Sequence, residues 1–221
     1  MPKKRIDLAH LPLFAGIDPP LLAPLLDCLQ AQEVTVPAHT TLLAQGDAPT
    51  RMGLLLSGTV QVIQQEADGT RHVQAELGPG QLFSEVFAFA RVPALPVSVV
   101  AVSPCTVLWL HAQRILSPCS APCPQHRLLA ENMMTILAQR ILLLHRKITY
   151  LSQRKTREKL LAYLRDQSPA PGVCFSIPFN RQQLADYLCV ERSALSAELG
   201  KLRDAGVLLF HKNTFTLLAP K

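Results

Sequence analysis

Two groups of side chains have the types and spacing to do chemistry. Cys119, Cys123 and His126 form a C-x3-C-x2-H arrangement among prolines at 118, 122 and 124. Two thiolates and an imidazole so spaced suit a soft metal ion or an iron–sulfur cluster, with a fourth ligand from Cys105, Cys28 or a second copy of the chain. Haem held by His111, His126 or His145 is a further option. Inert thiols, or a pair that oxidises, fit the same residues. The second group lies near the C-terminus. There Arg181, Gln182, Gln183, Arg192, Ser193 and Ser196 offer guanidinium, amide and hydroxyl donors around two short helical stretches. No GxSxG, P-loop, HExxH or dinucleotide-binding fingerprint occurs, so enzymatic readings lack support.

The elements that must position these groups can be read from periodicity and punctuation. Leu21, Leu22, Leu25, Leu26 and Leu29 recur at helical spacing. From Val34 the period shortens. β-rich runs at 33–36, 41–44, 53–56, 59–64, 71–77, 97–102 and 106–110 alternate with Gly and Pro breaks. Many short strands so punctuated predict a sandwich or small barrel, and Asp68-Gly69 marks a hairpin. A turn-rich junction follows at 117–124. The stretch 126–151 is free of Gly and Pro. Met134, Leu137, Ile141, Leu144, Ile148 and Leu151 follow 3-4-3-4-3 spacing along it, a heptad seam. Packing on the chain's own barrel would use this stripe, and so would a two-fold helix pair. The narrow stripe flanked by Arg140, Arg146 and Lys147 favours the pair.

Beyond the seam, a helix is expected at 154–165, a loop at 168–172 and a strand at 174–179. Asn180 can cap a helix to 188, Cys189-Val190 makes a tight break, and a second helix runs over 191–204. Gly206 ends it, and runs at 207–210 and 214–218 form a hairpin around Lys212-Asn213. Two helices on a short break followed by a hairpin form a winged helix-turn-helix pattern. Leu184, Leu188, Leu195, Leu199, Leu202 and Val207 suit its core. The architecture expected is α+β: a β-barrel over 1–116, a junction and dimerisation helix over 117–152, and a winged helix-turn-helix over 153–221.

Composition narrows the partners. The 221 residues carry a net charge of +6, and 48% are hydrophobic. Residues 1–110 hold 6 basic and 9 acidic side chains, whereas 111–221 hold 16 basic and 7 acidic. The positive charge therefore belongs to the C-terminal half, which suits a polyanion, either nucleic acid or a membrane surface, and equally a solvated helix face. Eight basic residues and one acidic residue fall within 140–165 alone. No apolar run approaches a membrane span and the N-terminus lacks a signal-peptide pattern, so a cytoplasmic protein that uses no membrane is expected.

At this point the chain resembles the CRP/FNR superfamily, named for the cyclic-AMP receptor protein and the fumarate/nitrate regulator. The resemblance runs through Gln45-Gly46-Asp47, Leu54-Leu55-Leu56-Ser57-Gly58-Thr59-Val60, Gly80-Gln81-Leu82-Phe83-Ser84-Glu85, the long helix, and Gln183-Leu184-Ala185-Asp186-Tyr187-Leu188 to Gly206-Val207. It implies a cyclic-nucleotide-binding-type jelly-roll barrel, a homodimer, and a winged helix that binds a palindromic site in double-stranded DNA. RNA polymerase would be a partner of an activator. The resemblance places base reading at Arg192, Ser193 and Ala197, where Arg192 matches the usual Arg and suits guanine O6 and N7. Arg181, Gln182, Ser196, His211 and Lys212 would meet phosphates. Cys189 replaces a usual turn Gly, and Ser193 stands where many members carry Glu.

The effector pocket departs from the family. The resemblance places it at Ser84, Glu85, Leu95, Pro96, Val97 and Ser98. The phosphate-binding Arg of cyclic-nucleotide binders is missing there, Pro96 removes an N–H, and Arg91 stands four positions too early. This argues against cyclic AMP and for another small effector, or a redox or metal signal. The competing class is a ligand-binding module whose winged helix docks a protein.

Overall fold

The computed structural model describes residues 6–66, 68–116 and 124–218. They form two compact units, Met1–Ala138 and Gln139–Lys221. The first is built on eight strands: β1 (Gln32–Val36), β2 (Thr41–Leu43), β3 (Arg51–Ser57), β4 (Val60–Gln65), β5 (Arg71–Leu77), β6 (Leu82–Phe83), β7 (Ser98–Ala101) and β8 (Cys105–His111). They pair into two four-stranded sheets, in orders β1-β8-β3-β6 and β2-β7-β4-β5, with every pair antiparallel. This is the expected jelly-roll layout.

Strand alternation explains the layering. Successive side chains point to opposite faces. On β3, Leu55 faces inward and packs with Val60, Phe83, Val99, Val107 and Trp109 between the two sheets. Met52, Leu54 and Leu56 face the other way. They meet Leu13, Phe14, Leu25, Leu29, Leu129 and Met133. The first sheet is thus covered on both faces, so β3 reads as one continuous apolar run.

Two glycines fit this packing closely. A Cβ on Gly53 would overlap the Phe83 ring, which stacks edge-on to Trp109 at 5.5 Å. Gly58, at φ +90°, turns β3 into β4; a Cβ there would lie 2.5 Å from the Pro104 carbonyl oxygen and 2.7 Å from Cys105 Cα.

Three small elements were not expected from the sequence: β6, α2 (Glu85–Ala90) and α3 (Ala112–Leu116), which follow α1 (Pro19–Cys28) in chain order. The long helix, α4, spans Pro124–Leu151 and starts two residues before its expected boundary. In the first unit Leu129 and Met133 are buried, and the Asn132 amide donates to the carbonyls of Leu13 and Ala15. Of the seam residues, Leu137 is partly buried against this core and Leu151 is half-buried. The rest open outward: Met134 is 69% exposed, Ile141 64%, Leu144 61% and Ile148 65%. None of the described helices is long and apolar enough to cross a membrane.

The second unit contains α5 (Thr156–Gln167), β9 (Cys174–Ser176), α6 (Arg181–Tyr187), α7 (Arg192–Asp204), β10 (Leu208–His211) and β11 (Thr214–Leu217). The three strands form one sheet in order β10-β11-β9. Its core is Leu160, Leu164, Leu184, Leu188, Leu195, Leu199, Leu202, Leu208 and Phe215.

Beside that core lie all three tyrosines of the chain, Tyr150, Tyr163 and Tyr187, with Phe179. The Tyr150 hydroxyl donates to Asp166 Oδ2 at 2.6 Å, and Arg146 lies 3.6 Å from the same oxygen. Burial, then the Asp166 carboxylate, pushes the Tyr150 phenol above its ordinary value. Burial pushes Tyr163 up to about 12 and raises Tyr187 too. A raised folded-state pKa means the neutral phenols favour the fold. That contribution is intact below about pH 10, where unfolded tyrosine begins to ionise, and is lost as pH rises through the folded values. In a spectrophotometric titration, tyrosinate absorbance should therefore stay absent through about pH 10 and rise together with loss of the helical signal. Smooth ionisation near pH 10 with the helical signal intact would contradict this packing.

Candidate nucleic-acid interface

The two helices α6 and α7 are fixed by their ends. Asn180 caps α6: its side-chain oxygen accepts the Gln183 N–H at 2.9 Å, while Gln183 Oε1 accepts the Asn180 N–H at 2.8 Å. This reciprocal capping box satisfies two otherwise orphaned donors. At the other end Val190 N–H donates to the Ala185 carbonyl at 3.0 Å, with Cys189 at φ +51°. That is a left-handed helix stop, where glycine is the least strained residue. Cys189→Gly should therefore raise the melting temperature of the unit, by about 0.5–1 kcal/mol of stability at most, because the αL penalty is offset in part by a more flexible unfolded chain. A lower melting temperature would mean that the thiol itself holds the turn.

Helix α7 then starts after Glu191, which makes no side-chain cap bond. Its back face, Leu195, Leu199 and Leu202, is buried. Its front face is exposed: Arg192, Ser193, Ser196 and Ala197. The four side chains stand at the spacing of one helix surface, over the first two turns. Lys201 continues that face one turn on and pairs with Glu198 at 2.6 Å. The i, i+4 step from Ala197 would have found it in the sequence. Gly200 lies between them, with open space where a side chain would stand. The front of α7 is thus mostly small residues behind one long guanidinium.

The wing, β10–β11, is held to the helices by Arg181. Its guanidinium carbon sits 5.2 Å from the Phe210 ring centre and 5.7 Å from that of Phe215, and one N–H donates to the Lys212 carbonyl at 3.0 Å. Burial lowers its pKa from the ordinary value, yet a guanidinium stays charged near neutrality. Arg181 is therefore half-buried under the wing, unlike the exposed Gln182. His211 and Lys212 are exposed at the tip, where Lys212 takes φ +53°. Asn213 pins the tip by donating to the Ile177 carbonyl at 3.0 Å. Neither the stack nor the pin is legible from spacing, since their partners lie some 30 residues away in sequence.

Arg181, Lys212, Asn180, Gln183 and Asn213 line one cleft of about 360 Å³ between α6 and the wing. The start of α6 and the wing tip thus share a cleft of amide and cationic donors, and α7's front adds exposed guanidinium and hydroxyl donors. The acids near it are Asp186, which accepts from Gln182 at 2.8 Å, Glu198, which pairs with Lys201, and the exposed Glu191 before α7.

Known proteins share this design. A family profile described as the cyclic nucleotide-binding domain matches residues 33–120, and one described as the Crp-like helix-turn-helix domain matches residues 138–221. The chain belongs to the CRP/FNR family of transcription regulators. It is 27% identical over 198 residues to the Cyclic AMP receptor protein of Thermus thermophilus, covering 89% of this chain and 88% of that one. It is 30% identical over 86 residues to the CRP-like cAMP-activated global transcriptional regulator of Mycobacterium tuberculosis, a match that spans 39% of this chain and only 38% of that protein's length. Among solved structures, the c-di-GMP responsive global regulator CLP of Xanthomonas campestris is similar in fold, with a TM-score of 0.52 at 21% identity over 92% of this chain and 100% of that one. DNR from Pseudomonas aeruginosa gives a TM-score of 0.50 at 21% identity over 96% and 92%.

In this CRP/FNR member the residues expected at the effector pocket lie as follows. Glu85 is buried at the start of α2. Ser84 before it takes φ +64°, and its hydroxyl is buried with no hydrogen-bond partner. Leu95 and Val97 are buried, Pro96 is exposed, and the Ser98 hydroxyl accepts the Gln45 N–H at 2.9 Å. Arg91 donates to Gln113 Oε1 on α3 at 2.7 Å. Cys119 and Cys123 lie outside the described residues, and His126 is buried on α4. Among the described residues no three His, Cys, Asp or Glu side chains group as metal ligands would.

Proposed function

We propose that this chain acts as a homodimer which reads a two-fold symmetric DNA site through α7, under control of an effector other than cyclic AMP. The observation that carries the reading is α7 itself: a front of Arg192, Ser193, Ser196 and Ala197 held rigid by three buried leucines, beside a wing already fixed in place. In a dimer, two such helices would enter successive major grooves about 34 Å apart. Arg192 would read guanine, with Ser193 and Ala197 beside it. Gln182, Ser196, His211 and Lys212 would meet phosphates, and Arg181 would offer them its remaining N–H groups while holding the wing.

The pairing surface is the outward stripe Met134, Ile141, Leu144 and Ile148, extended by Leu137 and Leu151. It would form the central part of a three-part chain: sensor over 1–116, junction and pairing helix over 117–152, and DNA-binding domain over 153–221. The relatives' names mention cyclic AMP and c-di-GMP. Here the segment 95–98 carries no cation to meet a cyclic phosphate, and Arg91 is engaged with Gln113. An anion in a half-buried pocket needs such a partner, which supports a different effector acting near Ser84, Glu85, Leu95, Pro96, Val97 and Ser98, or through Cys119, Cys123 and His126. An effector would act by binding the DNA-competent state more tightly. RNA polymerase would be the further partner if the dimer activates.

Selection from random double-stranded DNA tests the reading. The wild type should enrich a palindrome with half-sites about one helical turn apart. Arg192→Ala should weaken that site by about 1–3 kcal/mol and relax a single position in each half. Absence of any enriched palindrome would overturn the reading, and an unchanged motif for Arg192→Ala would remove Arg192 from base contact.

A further inference from the structure

The second unit carries a groove on the side built by α5, the loop after it and the ends of α7 and β11. It has a volume of about 660 Å³, within the range of small-molecule sites. Its apolar lining comes from Leu161 on α5, Val207 before β10, and Leu217 and Leu218 at the end of β11. The rim is a proline-stiffened loop with Pro169 and Pro171. That loop is held at both ends. Ser168 N–H donates to the Leu164 carbonyl at 3.0 Å, and Gly172 N–H donates to the Leu217 carbonyl at 2.7 Å.

Two guanidiniums stand on this groove, Arg157 and Arg165. They lie eight residues apart on α5, so they share a face with Leu161 between them and are separated by about 12 Å along the axis. Among the described residues neither forms an ion pair; of the acids near them, Asp166 is met by Arg146 and Tyr150, Asp204 by Arg203, and Glu158 in the first turn of α5 accepts the Lys155 backbone N–H. Arg157 also sits in the first turn of α5, where backbone N–H groups add positive potential. Apolar walls between two uncompensated forks favour a ligand with an apolar body and an acid group. A carboxylate offers the bidentate geometry that a guanidinium matches best.

We propose that this groove is a binding site for a small organic acid with an aromatic or aliphatic body, its carboxylate taken by Arg157 or Arg165 and its body by Leu161, Val207, Leu217 and Leu218. The groove is lined by residues of the second unit alone and shares none with α7's front, so the proposal stands whether or not the chain reads DNA.

The test uses the whole protein, labelled with ¹⁵N, and naphthalene-1-acetate as probe. Saturable shifts should appear at the amides of Leu161, Gly172, Gly206 and Leu218. The uncharged naphthalene-1-acetamide should bind about tenfold more weakly, and so should the acid with the Arg157→Gln/Arg165→Gln protein, as expected for loss of a charge-assisted pair. Both arginines are exposed, so the double variant keeps the core intact, and an unchanged spectrum away from the groove verifies this. Equal binding of acid and amide, shifts confined to other surfaces such as α4, or no saturable shift would each overturn the proposal.

Discussion

Gly58→Ala should destabilise the first unit by about 3–5 kcal/mol, a large share of the ~5–15 kcal/mol typical of a domain. Two effects add. The backbone holds φ at +90°, which an L side chain adopts only with strain. The new methyl would also meet main chain, with the Pro104 carbonyl oxygen at 2.5 Å and Cys105 Cα at 2.7 Å. Neither neighbour can rotate away. The turn at Gly58 is tied to the β7–β8 turn, because Thr59 N–H donates to Ser103 Oγ at 3.0 Å and Val102 N–H donates to the Thr59 carbonyl at 2.9 Å. Relief would therefore require two turns to separate. Thermal unfolding followed by the single Trp109 reads this unit directly. A melting temperature within a degree or two of wild type would mean that the β3–β4 turn is wrongly described.

The second large effect concerns the outward stripe of α4. If the chain pairs as proposed, Ile141→Asp with Leu144→Asp should convert that dimer to monomer and lower affinity for the selected DNA site by a hundredfold or more. Two carboxylates at a two-fold seam face their own copies, so up to four like charges would be desolvated together, at about 3–5 kcal/mol for each uncompensated group. The same side chains are 64% and 61% exposed within one chain, so the chain's own core loses nothing. The contrast with Gly58→Ala is the diagnostic: light scattering should report the halved mass while thermal unfolding of the isolated chain stays cooperative. A dimer that survives both substitutions would move the pairing surface elsewhere.

Much of this architecture was legible because turns are written in glycine and proline. Ser57-Gly58 and Asp68-Gly69 separate strands that the structure has within a residue or two of the expected places, and Gly78-Pro79-Gly80 ends β5 where expected. What escaped has a common cause. Strand β6 is two residues long and exists through its pairing with Gly53 and Leu54 of β3. Helix α2, Glu85–Ala90, is built from aromatic, valine and alanine residues with no side-chain cap, between two left-handed residues, Ser84 and Arg91. Such elements are set by tertiary contacts, which local periodicity does not record. The heptad count on α4 had the same limit: it grouped Leu137 with Ile141, although Leu137 leans on the barrel core and Ile141 does not. In the interface, spacing identified α7's front but assigned Arg181 to the outer face with Gln182. Its burial under Phe210 and Phe215 depends on where the wing folds back.

That stack has a thermodynamic consequence. A hairpin tip of His211, Lys212 and Asn213 would ordinarily fluctuate, and a partner would have to restrict it on binding, at about 1–2 kcal/mol per residue fixed. Here the Arg181 bond to the Lys212 carbonyl and the Asn213 bond to the Ile177 carbonyl have already restricted it. The ordering entropy is lost during folding, so less of the attraction to a surface is consumed in docking. The wing's contribution should accordingly appear as a smaller entropic penalty of association, carried by the half-buried Arg181 in addition to any contact its remaining N–H groups make.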